Sequence, residues 1–280
     1  MTITSPARIK PPMKISPSSF RPFGAGVRIA TLAFGLSVPL AAYAELSNDS
    51  LLGPGLRWRP AYDGSSSHRL EAVPVIRYLG QPLFARSTQG VLEGGLRMEL
   101  APGLHAGAQL AYEPGRKPGD SDYLLSHNVA GINNGASYGV QLEWDHKFGP
   151  MPITLLGRVR QHTESARGAQ ADLRLSAGVY QSGRVGAGIY AQTTWANSKS
   201  TGSFYGITPA QSAVTRLPAF NAGSGLLYGS LGLLWSVDIT RSWIVVGSME
   251  ARRLTGDAAS SPLTERKSNY YLSAGIAYHF

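Results

Sequence analysis

The stretch that closes the chain, YYLSAGIAYHF at 270–280, constrains the fold more than any other, because its residues separate into two sets with a period of two. One set is Tyr270, Leu272, Ala274, Ile276, Tyr278 and Phe280; the other is Tyr271, Ser273, Gly275, Ala277 and His279. Successive side chains of a strand point to opposite faces, so this segment presents one apolar face tipped by aromatics and one face of mostly small or polar groups. The split recurs at 136–147, where Tyr138, Val140, Leu142 and Trp144 oppose Ser137, Gly139, Gln141, Glu143, Asp145 and Lys147. At 171–180, Ala171, Leu173, Leu175, Ala177 and Val179 oppose Asp172, Arg174, Ser176, Gly178 and Tyr180. Such runs reach ten residues or more, whereas strands of globular proteins have roughly five or six. Alternation sustained over that length predicts strands that cross a bilayer rather than strands of a soluble sandwich.

Twelve such segments are legible, at about 51–61, 70–78, 82–87, 90–100, 104–112, 135–147, 153–162, 169–181, 185–195, 225–237, 242–254 and 268–280. The reading is therefore an all-β, transmembrane antiparallel up-and-down β-barrel of about 12 strands, with ten as the alternative count. Residues 82–100 could be drawn as one long strand, but bacterial single-chain barrels have even strand numbers, and parity places a break at Ser87-Thr88-Gln89-Gly90. Short Gly-, Pro- and Asp-rich links at 79–81, 101–103, 148–152, 182–184 and 238–241 are expected on the periplasmic side. The longer segments 62–69, 113–134, 163–168, 196–224 and 255–267 are expected outside.

Composition agrees with a chain that shows half of each strand to lipid. Only 15% of residues are charged, against about 25% in soluble domains. The net charge of +9 is no nucleic-acid signal: Arg8, Lys10, Lys14, Arg21 and Arg28 lie in residues 1–44 with no acid, and subtracting those five from 26 leaves 21 bases against 17 acids. The basic stretch is followed by IATLAFGLSVPL at 29–40 and then Ala42-Tyr43-Ala44, the charged region, apolar core and small-x-small cleavage site of a secretory signal. The expectation is a signal peptide over 1–44, cleaved after Ala44, and a barrel over 45–280. Cysteine is absent, which removes disulfides, thiolate metal sites and a Cys nucleophile.

The alternation turns Arg57, Arg59, Arg77, Arg97, Lys147, Arg158, Arg160, Arg174 and Arg252 inward, with Glu71, Glu93, Glu99, Glu143, Asp145, Asp172 and Glu250 to meet them. Unpaired charge in a confined interior is costly, so a cross-linked network and a mostly occluded lumen are expected. No histidine lies in a G-x-S-x-G or H-E-x-x-H context. His162, close to Glu164 and Ser165, reads as a solvated rim residue, and Asp120 and Asp122 read as part of a polar loop without the ligand spacing of a calcium site. Neither enzyme activity, metal nor cofactor is expected.

Three ordered motifs go beyond barrel grammar. Phe204-Tyr205-Gly206-Ile207-Thr208 leads to Ala210-Gln211-Ser212-Ala213 and then Leu217-Pro218-Ala219-Phe220; Leu254-Thr255-Gly256-Asp257-Ala258-Ala259-Ser260-Ser261-Pro262 follows; and Arg59-Pro60-Ala61-Tyr62-Asp63-Gly64-Ser65 is an earlier echo. In these the chain resembles the MltA-interacting protein (MipA)/OmpV family of outer-membrane proteins. The resemblance implies the Gram-negative outer membrane as location and its lipid as a partner. It further implies a non-enzymatic scaffold linking a lytic transglycosylase to a peptidoglycan synthase, with a narrow gated channel for small polar solutes, or a surface adhesin or antigen, as alternatives. It brings no catalytic residues. The loop at 196–224 is the candidate lid or ligand loop, with Phe204, Tyr205, Gln211, Arg216 and Phe220 as its candidate residues.

Overall fold

The computed structural model of the protein describes Met1 and residues 50–280. The export signal and its cleavage point after Ala44 lie outside the described residues. Twelve strands form: β1 (Leu51–Pro60), β2 (His68–Leu79), β3 (Leu83–Thr88), β4 (Val91–Ala101), β5 (Leu104–Glu113), β6 (Gly135–Phe148), β7 (Met151–His162), β8 (Ala169–Ser182), β9 (Val185–Ala196), β10 (Gly225–Asp238), β11 (Trp243–Leu254) and β12 (Ser268–His279). Each pairs antiparallel with its sequence neighbours, and β1 pairs with β12 from Leu51↔His279 to Trp58↔Leu272, closing the barrel. Closure gives both terminal strands a ladder partner, which leaves no sheet edge at the chain ends. The count is twelve rather than ten, and the break in 82–100 falls at Gln89-Gly90, both at positive φ.

The period-two pattern sorts the residues as lipid demands. Leu52, Leu56, Leu96, Met98, Leu142, Leu173, Leu231 and Ile276 are exposed on the outer surface. Trp58, Tyr112, Tyr138, Trp195 and Tyr270 ring the end that carries the long loops, and Tyr78, Trp144, Phe148, Trp243 and Tyr278 ring the end with the tight turns. Two aromatic girdles flanking an apolar band mark the two membrane interfaces. Among the described residues no helix is long and apolar enough to cross a membrane; the strands make the crossing.

One expectation about facing fails, for a local reason. Tyr180 turns outward at 52% exposure because a β-bulge between Gly178 and Tyr180 shifts the alternation by one, so that Gln181 becomes the buried residue. Lys147, which lines the lumen cavity at the tight-turn end, and Glu99 are exposed, both near the ends of their strands. Between the strands, α1 (Asp122–Ser126), α2 (Ser198–Tyr205), α3 (Pro209–Thr215) and α4 (Gly256–Ser260) all lie in the long loops. Each is too short to be stable by itself and depends on packing over the barrel mouth.

Candidate functional site: the divided lumen and its plug

The lumen has two unlike walls. On the side formed by β3 to β9, carboxylates are shared among arginines of strands that are not neighbours. Glu93 of β4, 1% exposed, accepts from Arg86 Nε of β3 and from Arg158 Nη1 of β7 at 2.7 Å. Arg158 Nε donates to Asp172 of β8 at 2.7 Å, and Asp172 also accepts from Arg160 Nη2 at 3.1 Å and Thr194 Oγ1 of β9 at 2.7 Å. Glu143 accepts from Arg86 Nη1 at 2.8 Å and Arg97 Nη2 at 2.7 Å. Because Arg158 joins β8 to β4, these contacts cross the bore rather than run along the wall. Multiple charge-assisted bonds per carboxylate supply what burial of the charges would otherwise cost.

On the opposite side, formed by β10, β11, β12, β1 and β2, an apolar cluster faces inward near the tight turns. Leu51, Ile244 and Ala277 are buried together, with Val75 and Val246 packed against them. Nearer the long loops this wall changes to arginine and tyrosine: the Arg252 guanidinium lies 4.1 Å from the Tyr228 ring centroid and 4.5 Å from that of Tyr271. The turn between β3 and β4 spans the two walls. Gln89 Nε2 donates to Glu250 Oε2 of β11 at 3.1 Å and to Tyr190 Oη of β9 at 3.3 Å. Below this crosspiece a cavity of about 630 Å³ faces the tight-turn end, and above it one of about 160 Å³ lies beneath the loops.

The loops form a packed plug. One cluster joins Ala61, Tyr62, Leu124, Val129, Ile207, Leu217 and Leu263; a second joins Ala196, Tyr205, Ala222, Leu227, Tyr228, Leu254 and Ala258; Phe220 packs against both. Buried loop backbone needs partners, and side chains supply them: Tyr62 Oη donates to Leu263 O at 2.9 Å, Tyr123 Oη to Pro262 O at 2.7 Å, and Ser261 Oγ to Tyr205 O at 2.6 Å. Asp63 ties the plug to the wall, accepting from Arg252 Nη1 at 2.6 Å and from Tyr271 Oη. Burial alone would raise the Asp63 carboxyl, but Arg252 and the hydrogen bond from Tyr271 outweigh it and hold the group below its ordinary value of 3.8. Burial pushes the Tyr205 hydroxyl well above its ordinary value and draws the Arg116 guanidinium below its own.

The five candidate loop residues divide in two. Phe204 and Tyr205, at the end of α2, point into the plug: the Phe204 carbonyl accepts from Arg116 Nη1 at 2.7 Å, its ring lies 5.4 Å from the Arg167 guanidinium, and Tyr205 Oη donates to Asp63 O at 3.3 Å. Phe220 joins them. Gln211 and Arg216 are exposed on α3. Gln211 closes a capping box with Thr208, and Arg216 ends the helix in the left-handed region at φ 61°. His162 differs from its reading as a solvated rim residue. It is buried, with Nε2 3.2 Å from Glu113, while Glu164 and Ser165 are exposed, so no triad assembles. Arg86, Glu113 and Asp63, all important to the network, escaped the alternation because they lie in a short strand, at a strand end and in a loop. His105, Glu143 and Asp145 bring potential ligand atoms within 4.8 Å of one another. The Arg97 guanidinium, 2.7 Å from Glu143 and 3.5 Å from Asp145, already supplies the positive charge there.

The sequence profile of the family described as MltA-interacting protein MipA matches residues 52–280, the whole barrel. The chain belongs to the MipA family. It is an outer-membrane β-barrel, as the apolar band and aromatic girdles require of its surroundings. No curated protein matches it in sequence. Among solved structures it is similar to an outer-membrane channel from Pseudomonas putida F1, at 12% identity and a TM-score of 0.47 over 86% of this chain and 99% of that one. It is also similar to OmpT of Vibrio cholerae, at 8% identity and 0.40 over 83% and 96%, and to the NanC porin, at 6% identity and 0.38 over 82% and 98%. These likenesses concern the barrel fold alone.

Proposed function

We propose that this MipA-family barrel is a non-enzymatic membrane platform that holds a lytic transglycosylase of the MltA type, and with it a peptidoglycan synthase, at the inner face of the outer membrane. The observation that carries the reading is the crossed lumen. Arg158 ties β4 to β8 within the charged wall, Gln89 reaches Glu250 on the opposite wall, and a hydrogen-bonded plug covers the mouth. A barrel spending its interior on rigid internal contacts suits a rim that binds better than a bore that conducts. The family description names MltA as the interacting protein, and the docking surface falls on the tight-turn rim, where Lys147, Arg184 and Arg241 are exposed. In the same reading residues 1–44 are the export signal, removed after Ala44, and N-terminal sequencing of the outer-membrane protein tests that point. The decisive experiment is cross-linking in intact envelopes followed by affinity purification of the barrel. Recovery of an MltA-type transglycosylase that is reduced by Lys147→Glu, Arg184→Glu and Arg241→Glu together supports the platform; no recovery under conditions that capture other envelope complexes overturns it.

The cavity of about 630 Å³ at the tight-turn end favours a second reading, a narrow channel gated by the 196–224 loop. There Phe204, Tyr205 and Phe220 would hold the lid, and Gln211 and Arg216 would meet solute. Single-channel recording on the barrel with and without residues 198–215 separates the readings: conductance that appears only on deletion supports the gate, and silence in both ends it.

A further inference from the structure

The arginines nearest the plug are not equally served. On β1 and β2, Arg57 lies opposite Glu71, and one pair nearer the long loops Arg59 lies opposite Arg69, a like-charge pair that a sheet does not favour. Glu71 answers both members of that pair: Oε1 accepts from Arg59 Nε at 2.7 Å and Oε2 from Arg69 Nη2 at 3.0 Å. Arg57 Nη1 is left 3.9 Å from the same Oε1, beyond hydrogen-bond reach. Arg57 is 7% exposed, and its guanidinium is fixed from two sides. The Tyr271 ring centroid lies 5.1 Å from it, and the Gly90 backbone packs so closely that a Cβ there would collide with Nη1. Gly90 adopts φ 80°, which glycine does without strain. Among the described residues the Arg57 guanidinium donates no hydrogen bond, so its fork of N–H groups is held in place and unused.

A second arginine reaches the same space from the plug. Arg116, in the loop between β5 and β6 and 6% exposed, donates from Nη1 to Phe204 O at 2.7 Å and from Nη2 to Ala130 O at 3.5 Å, and the Tyr62 ring centroid lies 5.7 Å from its guanidinium. All three partners are uncharged, and burial draws this guanidinium below its ordinary value. Arg57 and Arg116 both line the chamber of about 160 Å³ beneath the loops; Arg57 also borders a cavity of about 180 Å³ behind the Gln89–Gly90 turn. Asp63 and Glu113 on the chamber wall are engaged already, Asp63 by Arg252 and Tyr271, and Glu113 by Arg160 Nη1 at 2.8 Å and Ser137 Oγ at 2.6 Å. β1 joins the barrel at the tight-turn end, where Ser50 O accepts from Phe280 N at 3.2 Å. Arg57 stands on the order of 20 Å along the strand from there, so the chamber is remote from the point where the chain enters the wall. A buried cation met by neutral acceptors is costly, and a polar chamber with room for more than one water has room for a small ion.

We propose that the chamber beneath the plug binds one small oxyanion, a phosphate or a phosphate monoester without an acyl chain, held between Arg57 of the wall and Arg116 of the plug. The chemistry of the two sides selects it. A guanidinium only donates and an ionised phosphate oxygen only accepts, and a dianion has oxygens enough to be bonded from both sides. Bound there, the ion ties the plug to β1 as Asp63 ties it to β11 and β12.

Equilibrium dialysis of labelled inorganic phosphate against the full barrel, folded in a neutral detergent, tests this. One site per barrel is expected, and glycerol 3-phosphate is expected to displace the label. If it does so better than unlabelled phosphate, a monoester is the occupant; if less well, the free ion is, and either order supports the site. Glucose, which offers hydroxyls without charge, is expected not to compete. Arg57→Gln and Arg116→Gln are each expected to weaken binding at least tenfold, and Arg253→Gln, exposed on the outer wall, to leave it unchanged, with heat-modifiable gel mobility showing that each barrel folds. Val91→Phe, which fills the chamber without removing a charge, is expected to weaken binding as much and decides the matter where an arginine variant does not fold. The proposal is overturned if phosphate does not bind the folded parent, if glucose competes equally, if Arg253→Gln weakens binding as much as the chamber variants, or if any folded chamber variant binds like the parent.

Discussion

The charged wall of the lumen and the apolar wall opposite it solve the same problem, packing the inner surface of a closed barrel, by different means. Around Glu93 and Asp172 the filling is long-range and specific: each carboxylate accepts from two arginines, and Arg158 serves both. Around Leu51, Ile244 and Ala277 it is local and unspecific in direction, a matter of apolar area removed from water. The first arrangement resists removal of any one member because the remaining charges stay buried. The second tolerates change in proportion to the atoms lost.

The sharpest way to break the comparison is Glu93→Ala, which leaves Arg86 and Arg158 each short of a carboxylate. A loss of about 3–5 kcal/mol is expected, read as the shift in urea midpoint of the barrel in vesicles. On the apolar wall, Ile244→Ala is expected to cost about 2 kcal/mol, near the low end for a buried large-to-small change because its cluster is small. If the two losses are equal, the walls are not energetically distinct.

Acid sharpens the comparison at the junction of wall and plug. The folded pKa of Asp63 is depressed, so its contribution is fully present above the ordinary carboxylate value of 3.8 and is lost as pH falls through the lower folded value. Protease cleavage within 198–215 is expected to rise over that acidic window. In Asp63→Asn cleavage is expected to be higher at neutral pH and less dependent on pH. The smallest effect belongs to the outside of the plug: Gln211→Ala opens the capping box of α3. It is expected to cost about 0.5–1 kcal/mol of local stability, visible as faster amide exchange over 209–215 with the barrel midpoint unchanged.

Much of the barrel was legible because a strand's facing is a local property. The split of Tyr270 from Tyr271, or of Leu173 from Asp172, needs only the period of two, and it fails where a bulge changes that period, as at Tyr180. Parity, a property of the closed barrel, placed the break within Ser87-Thr88-Gln89-Gly90, and it falls at Gln89-Gly90. The plug motifs at 204–220 and 254–262 were visible as motifs, but their meeting through Phe220 and the Ser261–Tyr205 hydrogen bond was not, since 56 residues separate that pair.

By itself, the sequence determined that this chain would be an antiparallel barrel of about twelve strands, with its charges inside and aromatics near the strand ends. Only the tertiary structure decided which inward charges meet, because partners across a closed barrel depend on the stagger and tilt accumulated from strand to strand. It alone buried His162 beside Glu113, gathered the valines on one wall, and turned the Gln89 hairpin from the wall into the lumen.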